Sequence, residues 1–285
     1  MHLKGIEKLR EKLPDYPGNR IGLFPLIGLL AAIGGYGFLI ILDILPKIFR
    51  DNLFLGIIEP LMPILGSLFL ATLGFWLIGE VWSKRDSMKA EHGDRAYQIM
   101  IKKGAVGVFM IPPLVFHAAT SIRSLPFGLP VNEITRLMSQ SLLPFLGVPT
   151  IIDIAIRVTL SAVFIILGML TVKSAFLTFG IDYMTVVYLY YPEESEIQNH
   201  EIYSVVRHPT YLAGVFLALA AFFFRFSVYS FILSLIAYLV FRLQIRREEI
   251  ELVERFGEGY REYMQNTPAL FARPKDWKTF FRFLK

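Results

Sequence analysis

The sequence predicts an all-α, polytopic integral membrane protein of about six transmembrane helices with a C-terminal helical hairpin and a cytoplasmic tail. Three observations carry that prediction. Apolar residues (AVILMFWYC) make up 54% of 285 residues, above the roughly 45–50% of soluble domains even with glycine counted. Mean hydropathy is +0.52, and the excess falls in blocks near the ~20 residues that cross a bilayer as a helix. Nearly all of the cations lie between those blocks.

Taken in order, the spans are 21–45, 61–82, 104–120, 156–179, 210–224 and 227–243. The first 20 residues are charged and carry Pro14 and Pro17. They lack the short apolar core and small-residue cleavage site of a signal peptide. The stretch 121–153 is apolar but interrupted by Pro126, Pro130, Pro144 and Pro149. Proline removes a helical donor and clashes with the preceding turn, so loop and interfacial helices are expected there. The fifth span is short, which suits a tilted or incompletely crossing helix. It forms a tight hairpin with the sixth, which runs on into the tail. With the N-terminus inside, 22 Lys and Arg fall on the inner side and six on the outer, namely Lys47, Arg50, Arg123, Arg136, Arg157 and Arg225. By the positive-inside rule both termini face the cytoplasm. One integral-membrane domain, 1–285, is the simplest division.

Some functions are excluded outright. There is no cysteine, so disulfides, zinc–thiolate sites and cysteine nucleophiles cannot occur. The net charge of +5 belongs to inter-span loops and not to a nucleic-acid stripe. No metal cluster is expected. The chain closes on Arg282-Phe283-Leu284-Lys285, which is no prenylation signal. Charged groups within spans are costly and often functional, yet most here have structural readings. Lys173 should snorkel from the inner end of the fourth span. His117 should be packed and hydrogen-bonded. Asp153 and Arg157, four apart, should pair on one helix face. Glu80 and Trp82 mark an interfacial end.

Chemistry concentrates around Tyr203, Arg207, His208, Pro209, Tyr211 and Gly214, where an inner loop enters the fifth span. Proline suits the first helical turn, where its missing N–H would have no partner anyway. Arg207 and His208 stand beside the free N–H groups of a helix start, which suits an anion. Gly214 and Ala218 form a small-xxx-small pair that admits close packing. A second element, Arg246 to Gly257, continues the sixth span. Glu249, Leu252, Phe256, Tyr260 and Tyr263 share one helical stripe, so Glu249 lies on an apolar face and needs a partner: a ligand's hydroxyls or cation, or Arg207. Glu248, Glu251 and Glu254 fit a solvated face, with Arg247–Glu251 as an i,i+4 pair.

These two elements together resemble the isoprenylcysteine carboxyl methyltransferase family and the related membrane phospholipid N-methyltransferases. The family pattern, Tyr-x-x-x-Arg-His-Pro-x-Tyr-x-Gly, is met by Tyr203, Arg207, His208, Pro209 and Tyr211, with the glycine displaced by one to Gly214. Its second segment is met by Glu248, Glu249, Leu252, Phe256, Gly257, Tyr260 and Tyr263, about 40 residues later. The resemblance covers 201–274. It implies a membrane-embedded methyltransferase that binds S-adenosyl-L-methionine on the cytoplasmic side and methylates a lipophilic acceptor: an isoprenoid or lipid, a prenylcysteine carboxylate among them. It implies Arg207, His208 and Glu249 as the catalytic set. Tyr203, Arg207, His208, Tyr211, Gly214, Glu248, Glu249 and Tyr260 would hold the cofactor, with Tyr263 also lining the pocket. The chain departs from the pattern in two places. Glu201 stands where the family has glycine, and Asn266 where it often has arginine. Membrane lipids and a lipophilic or prenylated substrate are the expected partners. The alternatives are an NADPH-dependent sterol-reductase-like enzyme, from which the chain differs by lacking Gly-Trp-Trp before Tyr203, and a non-catalytic lipid-binding member of the fold. The acidic insert from Tyr190 to Glu196 either covers the site or is a solvated loop.

Overall fold

The computed structural model describes residues 4–49, 51–121 and 132–285. Arg50, Arg123, Pro126 and Pro130, used above for topology and for the broken stretch, lie outside the described residues. The architecture is helical throughout, with no strand among the described residues. A short α1 (Ile6–Glu11) precedes α2 (Leu23–Ile48), then α3 (Leu53–Ile58), α4 (Met62–Ser83), α5 (Arg85–His92), α6 (Ala96–Phe109), α7 (Pro112–Thr120) and α8 (Glu133–Ser139). The second half comprises α9 (Thr150–Phe179), α10 (Ile181–Met184), α11 (Val187–Tyr190), α12 (Pro209–Arg225), α13 (Val228–Phe256), α14 (Glu258–Asn266) and α15 (Trp277–Phe283).

Five helical stretches are long and apolar enough to cross a membrane: Arg20–Ile48, Leu53–Ser83, Arg85–Thr120, Thr150–Phe179 and Val228–Phe256. The sixth expected span, α12, has only 17 residues. At 1.5 Å per residue it reaches about 25 Å against a hydrocarbon core of about 30 Å. The third span is longer than expected because its polar start, α5, already belongs to the helical run. Pro112 and Pro113 break it between α6 and α7. The fourth span begins six residues earlier than expected, at Thr150 directly after Pro149. Asp153 and Arg157 therefore lie inside the helix, where Arg157 Nε meets Asp153 Oδ1 at 2.9 Å.

The α12–α13 hairpin turns on two residues. Phe226 adopts φ +50, its carbonyl accepts from Leu142 N at 2.9 Å, and Ser227 and Ser230 cap the start of α13 reciprocally. Small residues bring the neighbours of α12 close. A Cβ on Gly168 of α9 would stand 3.1 Å from Leu217, and one on Gly214 would stand 2.7 Å from the Phe241 ring of α13. The buried charged groups of the first three spans are paired, as a low-dielectric interior favours. His117 Nε2 lies 2.9 Å from Asp43 Oδ2, with both side chains fully buried. Glu80 takes Lys84 at 2.5 Å and Lys103 at 2.6 Å. Lys173 is exposed.

The acidic insert is not a free loop. Tyr190 is buried and its hydroxyl donates to Val81 O at 3.0 Å. Glu194 pairs with Lys8 and, at 2.7 Å, with Lys12. The N-terminal arm thus ties down the chain between α9 and the motif loop. Its Leu9 and Leu13 share a core with Phe24, Val81, Tyr97, Val187 and Tyr190.

Candidate functional site

The site forms where the loop before α12 meets the C-terminal part of α13 and the chain after α14. Glu201 opens the loop at φ +49, in the left-handed region that side chains disfavour and glycine accepts. The family's glycine at this position has a backbone reason, and this chain holds the same geometry with a glutamate. Tyr203 follows, buried and stacked on Phe179 with centroids 4.6 Å apart. Tyr263 donates its hydroxyl to the Tyr203 carbonyl at 2.6 Å. Two backbone bonds then fasten the loop to the tail: Arg207 N to Pro268 O and His208 N to Ala269 O, both at 3.0 Å. Pro209 starts α12 at its first turn.

Glu249 is the hub of the cluster. Arg207 donates to Glu249 Oε1 from Nε at 3.0 Å and also from Nη2. Its Nη1 donates to Met264 O at 2.9 Å and to Thr267 O. Four of the five guanidinium N–H groups are thereby used. His208 Nε2 stands 3.1 Å from the same Oε1. Arg207 and His208 are 9% and 6% exposed, so Glu249 neutralises a cation that would otherwise be buried alone. Glu248, which fits a solvated face by helix pattern alone and which the resemblance assigns to the cofactor, is engaged by the protein. Its Oε1 accepts from the Tyr211 hydroxyl and from Gln244 Nε2 at 3.3 Å, and its Oε2 lies 3.8 Å from His208 Nδ1. Among the described residues every hydrogen bond to either carboxylate falls on Oε1.

The structure brings Tyr203, Arg207, His208, Tyr211, Glu248, Glu249, Tyr260 and Tyr263 into one cluster. Gly214 stands apart, one turn further along α12 in the packing against Phe241. The expected continuous stripe is divided, because Gly257 takes φ +59 and separates α13 from α14. Tyr260 and Tyr263 still return beside the carboxylates, their rings 5.7 Å apart. Burial raises the Tyr203, Tyr260 and Tyr263 hydroxyls well above the ordinary phenol value, so all three remain protonated donors.

Two neighbours of the cluster had no motif to announce them. Gln244 links Glu248 to Arg247, accepting from Arg247 Nη1 at 3.1 Å. Its one sequence signal was a buried amide four residues before Glu248. Arg247 does not pair with Glu251. Its guanidinium lies 3.9 Å above the Phe75 ring and donates to Phe75 O at 3.3 Å, while Glu251 binds Arg255 at 2.5 Å. Arg247 also borders a cleft of about 660 Å3 between the inner end of α4 and α13. Phe75, Trp76 and Ile250 give it an apolar side, and Arg85, Glu251 and Glu254 a charged one. The volume lies within the roughly 300–1,000 Å3 of small-molecule sites. The indole N–H of Trp82, another lining residue, is buried with no hydrogen-bond partner among the described residues.

Comparison with curated proteins and with solved structures finds no match. A family model does match, over residues 156–259, which run from within α9 through the motif loop and hairpin to the start of α14. Over that segment the chain is similar to the family described as Phospholipid methyltransferase, a similarity that suggests a membrane methyltransferase acting on lipid-like substrates.

Proposed function

We propose that this protein is a membrane-embedded, S-adenosylmethionine-dependent methyltransferase whose acceptor is an isoprenoid or lipid-like molecule, a prenylcysteine carboxylate being one such acceptor. The observation that carries the proposal is the pair of adjacent carboxylates. Glu248 and Glu249 each commit one oxygen to the protein and keep Oε2 clear of hydrogen bonds among the described residues. Two carboxylate oxygens side by side suit a ligand with an ammonium group and a diol, and S-adenosylmethionine has both. Tyr203, Tyr211 and Tyr260 supply aromatic walls beside them.

Bound there, S-adenosylmethionine supplies an electrophilic methyl group on a sulfonium, passed to the acceptor by in-line displacement. The work of the chain is to orient and to exclude water. Arg207 spends its donors on Glu249 and the tail carbonyls, so it acts as a positioning residue. It has one N–H left for a ligand carboxylate, and His208 Nδ1 is the nearest second group. The cleft beside Arg247 is the natural acceptor side, because Phe75 and Trp76 of a spanning helix give it an apolar wall and Arg247 reaches the motif through Gln244. A carboxylate or thiolate acceptor needs no base, and none is assigned.

The test is calorimetric titration of the detergent-purified protein with S-adenosylhomocysteine, and with NADPH in parallel. Binding of S-adenosylhomocysteine alone is expected. Glu249→Gln should weaken it roughly tenfold to hundredfold, the worth of a charge-assisted hydrogen bond. Binding of NADPH alone would move the protein to reductase chemistry, and binding of neither by folded protein would leave a non-catalytic lipid-binding role.

A further inference from the structure

The chain from Arg273 to Lys285 takes no part in the cluster around Glu249, yet it is built in an unusual way. It carries Arg273, Lys275, Lys278, Arg282 and Lys285 against a single acid, Asp276. Lys275, Lys278, Arg282 and Lys285 are exposed, and none forms an ion pair among the described residues. The α15 helix separates three edges. Phe280 and Leu284, four apart and each 5% exposed, pack against the motif loop through Ile202, Val205 and Val206. Trp277 and Phe281, also four apart, are 56% and 51% exposed. At 100° per residue, Lys278, Arg282 and Lys285 fall together next to that aromatic edge. Phe271, just upstream, is exposed as well.

Exposed aromatics flanked by unpaired cations have no use for bulk water. They match the boundary of a bilayer, where rings enter the acyl region and Lys and Arg reach headgroup phosphates. The place fits too. The α15 helix shares its core with Phe179 and Leu170 at the end of the long α9 span, where Phe176 and Leu177 are also exposed. We infer that the segment from Phe271 to Lys285 is an interfacial anchor that binds anionic phospholipid headgroups on the surface of the bilayer the protein spans. Net charge selects the partner: a cluster of five cations draws anionic lipid over zwitterionic lipid by roughly fivefold per cation that reaches the surface. The inference is independent of the methyl-transfer reading.

The experiment uses the full chain reconstituted into vesicles of phosphatidylcholine, with or without phosphatidylglycerol. Trp76→Phe and Trp82→Phe leave Trp277 as the reporter among the three tryptophans. Acyl-brominated lipid should quench Trp277 more strongly, and aqueous acrylamide less, when phosphatidylglycerol is present. Raising the salt, or changing Lys275, Lys278, Arg282 and Lys285 together to Gln, should abolish that difference. The salt titration needs no further substitution, so it stands even if the Gln variant folds poorly. Equal quenching in the two vesicle types would overturn the inference, as would a lipid dependence that survives both salt and charge removal.

Discussion

One carboxylate, Glu249, holds the candidate site together. It receives Arg207 and stands within hydrogen-bonding reach of His208, and Arg207 in turn fastens Met264 and Thr267 by their carbonyls. A lysine cannot make that set of bonds, since its ammonium is a point and the guanidinium a fork. Arg207→Lys should therefore destabilise the protein by about 2–3 kcal/mol, the worth of hydrogen bonds to charged groups, in thermal or denaturant unfolding in detergent. A loss below half of that would mean Arg207 holds nothing in place. Glu201 gives a prediction of opposite sign. Its φ of +49 costs a non-glycine residue about 1 kcal/mol, and its side chain is exposed. Glu201→Gly should raise stability by up to about 1 kcal/mol and leave S-adenosylhomocysteine affinity unchanged. Lower affinity would instead assign the carboxylate to the ligand.

Among the elements, the N-terminal arm is the one most open to pH. Hydrogen bonds from Lys12 and then Lys8 hold the Glu194 carboxyl below the usual carboxylate range. Such a group adds stability that is complete above its unfolded value and is lost as pH falls through the folded one. Lys8 is raised above its usual value, chiefly by its hydrogen bond to Glu194, so its share is complete below the unfolded value and fades as pH rises through the folded one. Amide exchange in α1 should be slowest near neutrality and should accelerate as pH falls into and below the carboxylate range, after correction for intrinsic rates. A flat profile would show that Leu9 and Leu13 alone hold the arm.

The helices were readable because apolar runs of spanning length and proline positions dictate them. The motif was readable because Pro209 marks a helix start and because Glu249 lies on an apolar face. What stayed hidden depends on contacts distant in sequence or on single dihedrals. Asp43 meets His117 across 74 positions. Arg247 finds Phe75 across 172 positions in place of Glu251 four residues away. The bend at Gly257 separates helices that periodicity joins.

For the molecule as a whole, the cations divide 22 to six between the expected inner and outer segments, while α12 is short for a crossing. Arginines hold its far end: Arg157 donates to Phe224 O and Arg225 to Ala119 O, both at 2.6 Å. If α12 completes its crossing, tags placed before Ile6 and after Lys285 should be cleaved by protease from the same side of sealed vesicles, the cytoplasmic one. Tags on opposite sides would mean an odd number of crossings, with α13 crossing and the short α12 failing to, and the 22-to-six split arising otherwise.

The two backbone bonds from Arg207 and His208 to Pro268 and Ala269 also set a schedule. A chain leaving the ribosome can insert its apolar segments in turn, but the loop before α12 has no partner for those N–H groups until some 60 further residues have been made. The candidate site is therefore among the last parts of the protein to be completed. A message cut short ahead of Pro268 would yield a product with its spans in place and an unfinished edge beside them, the kind of defect that quality-control proteases can recognise.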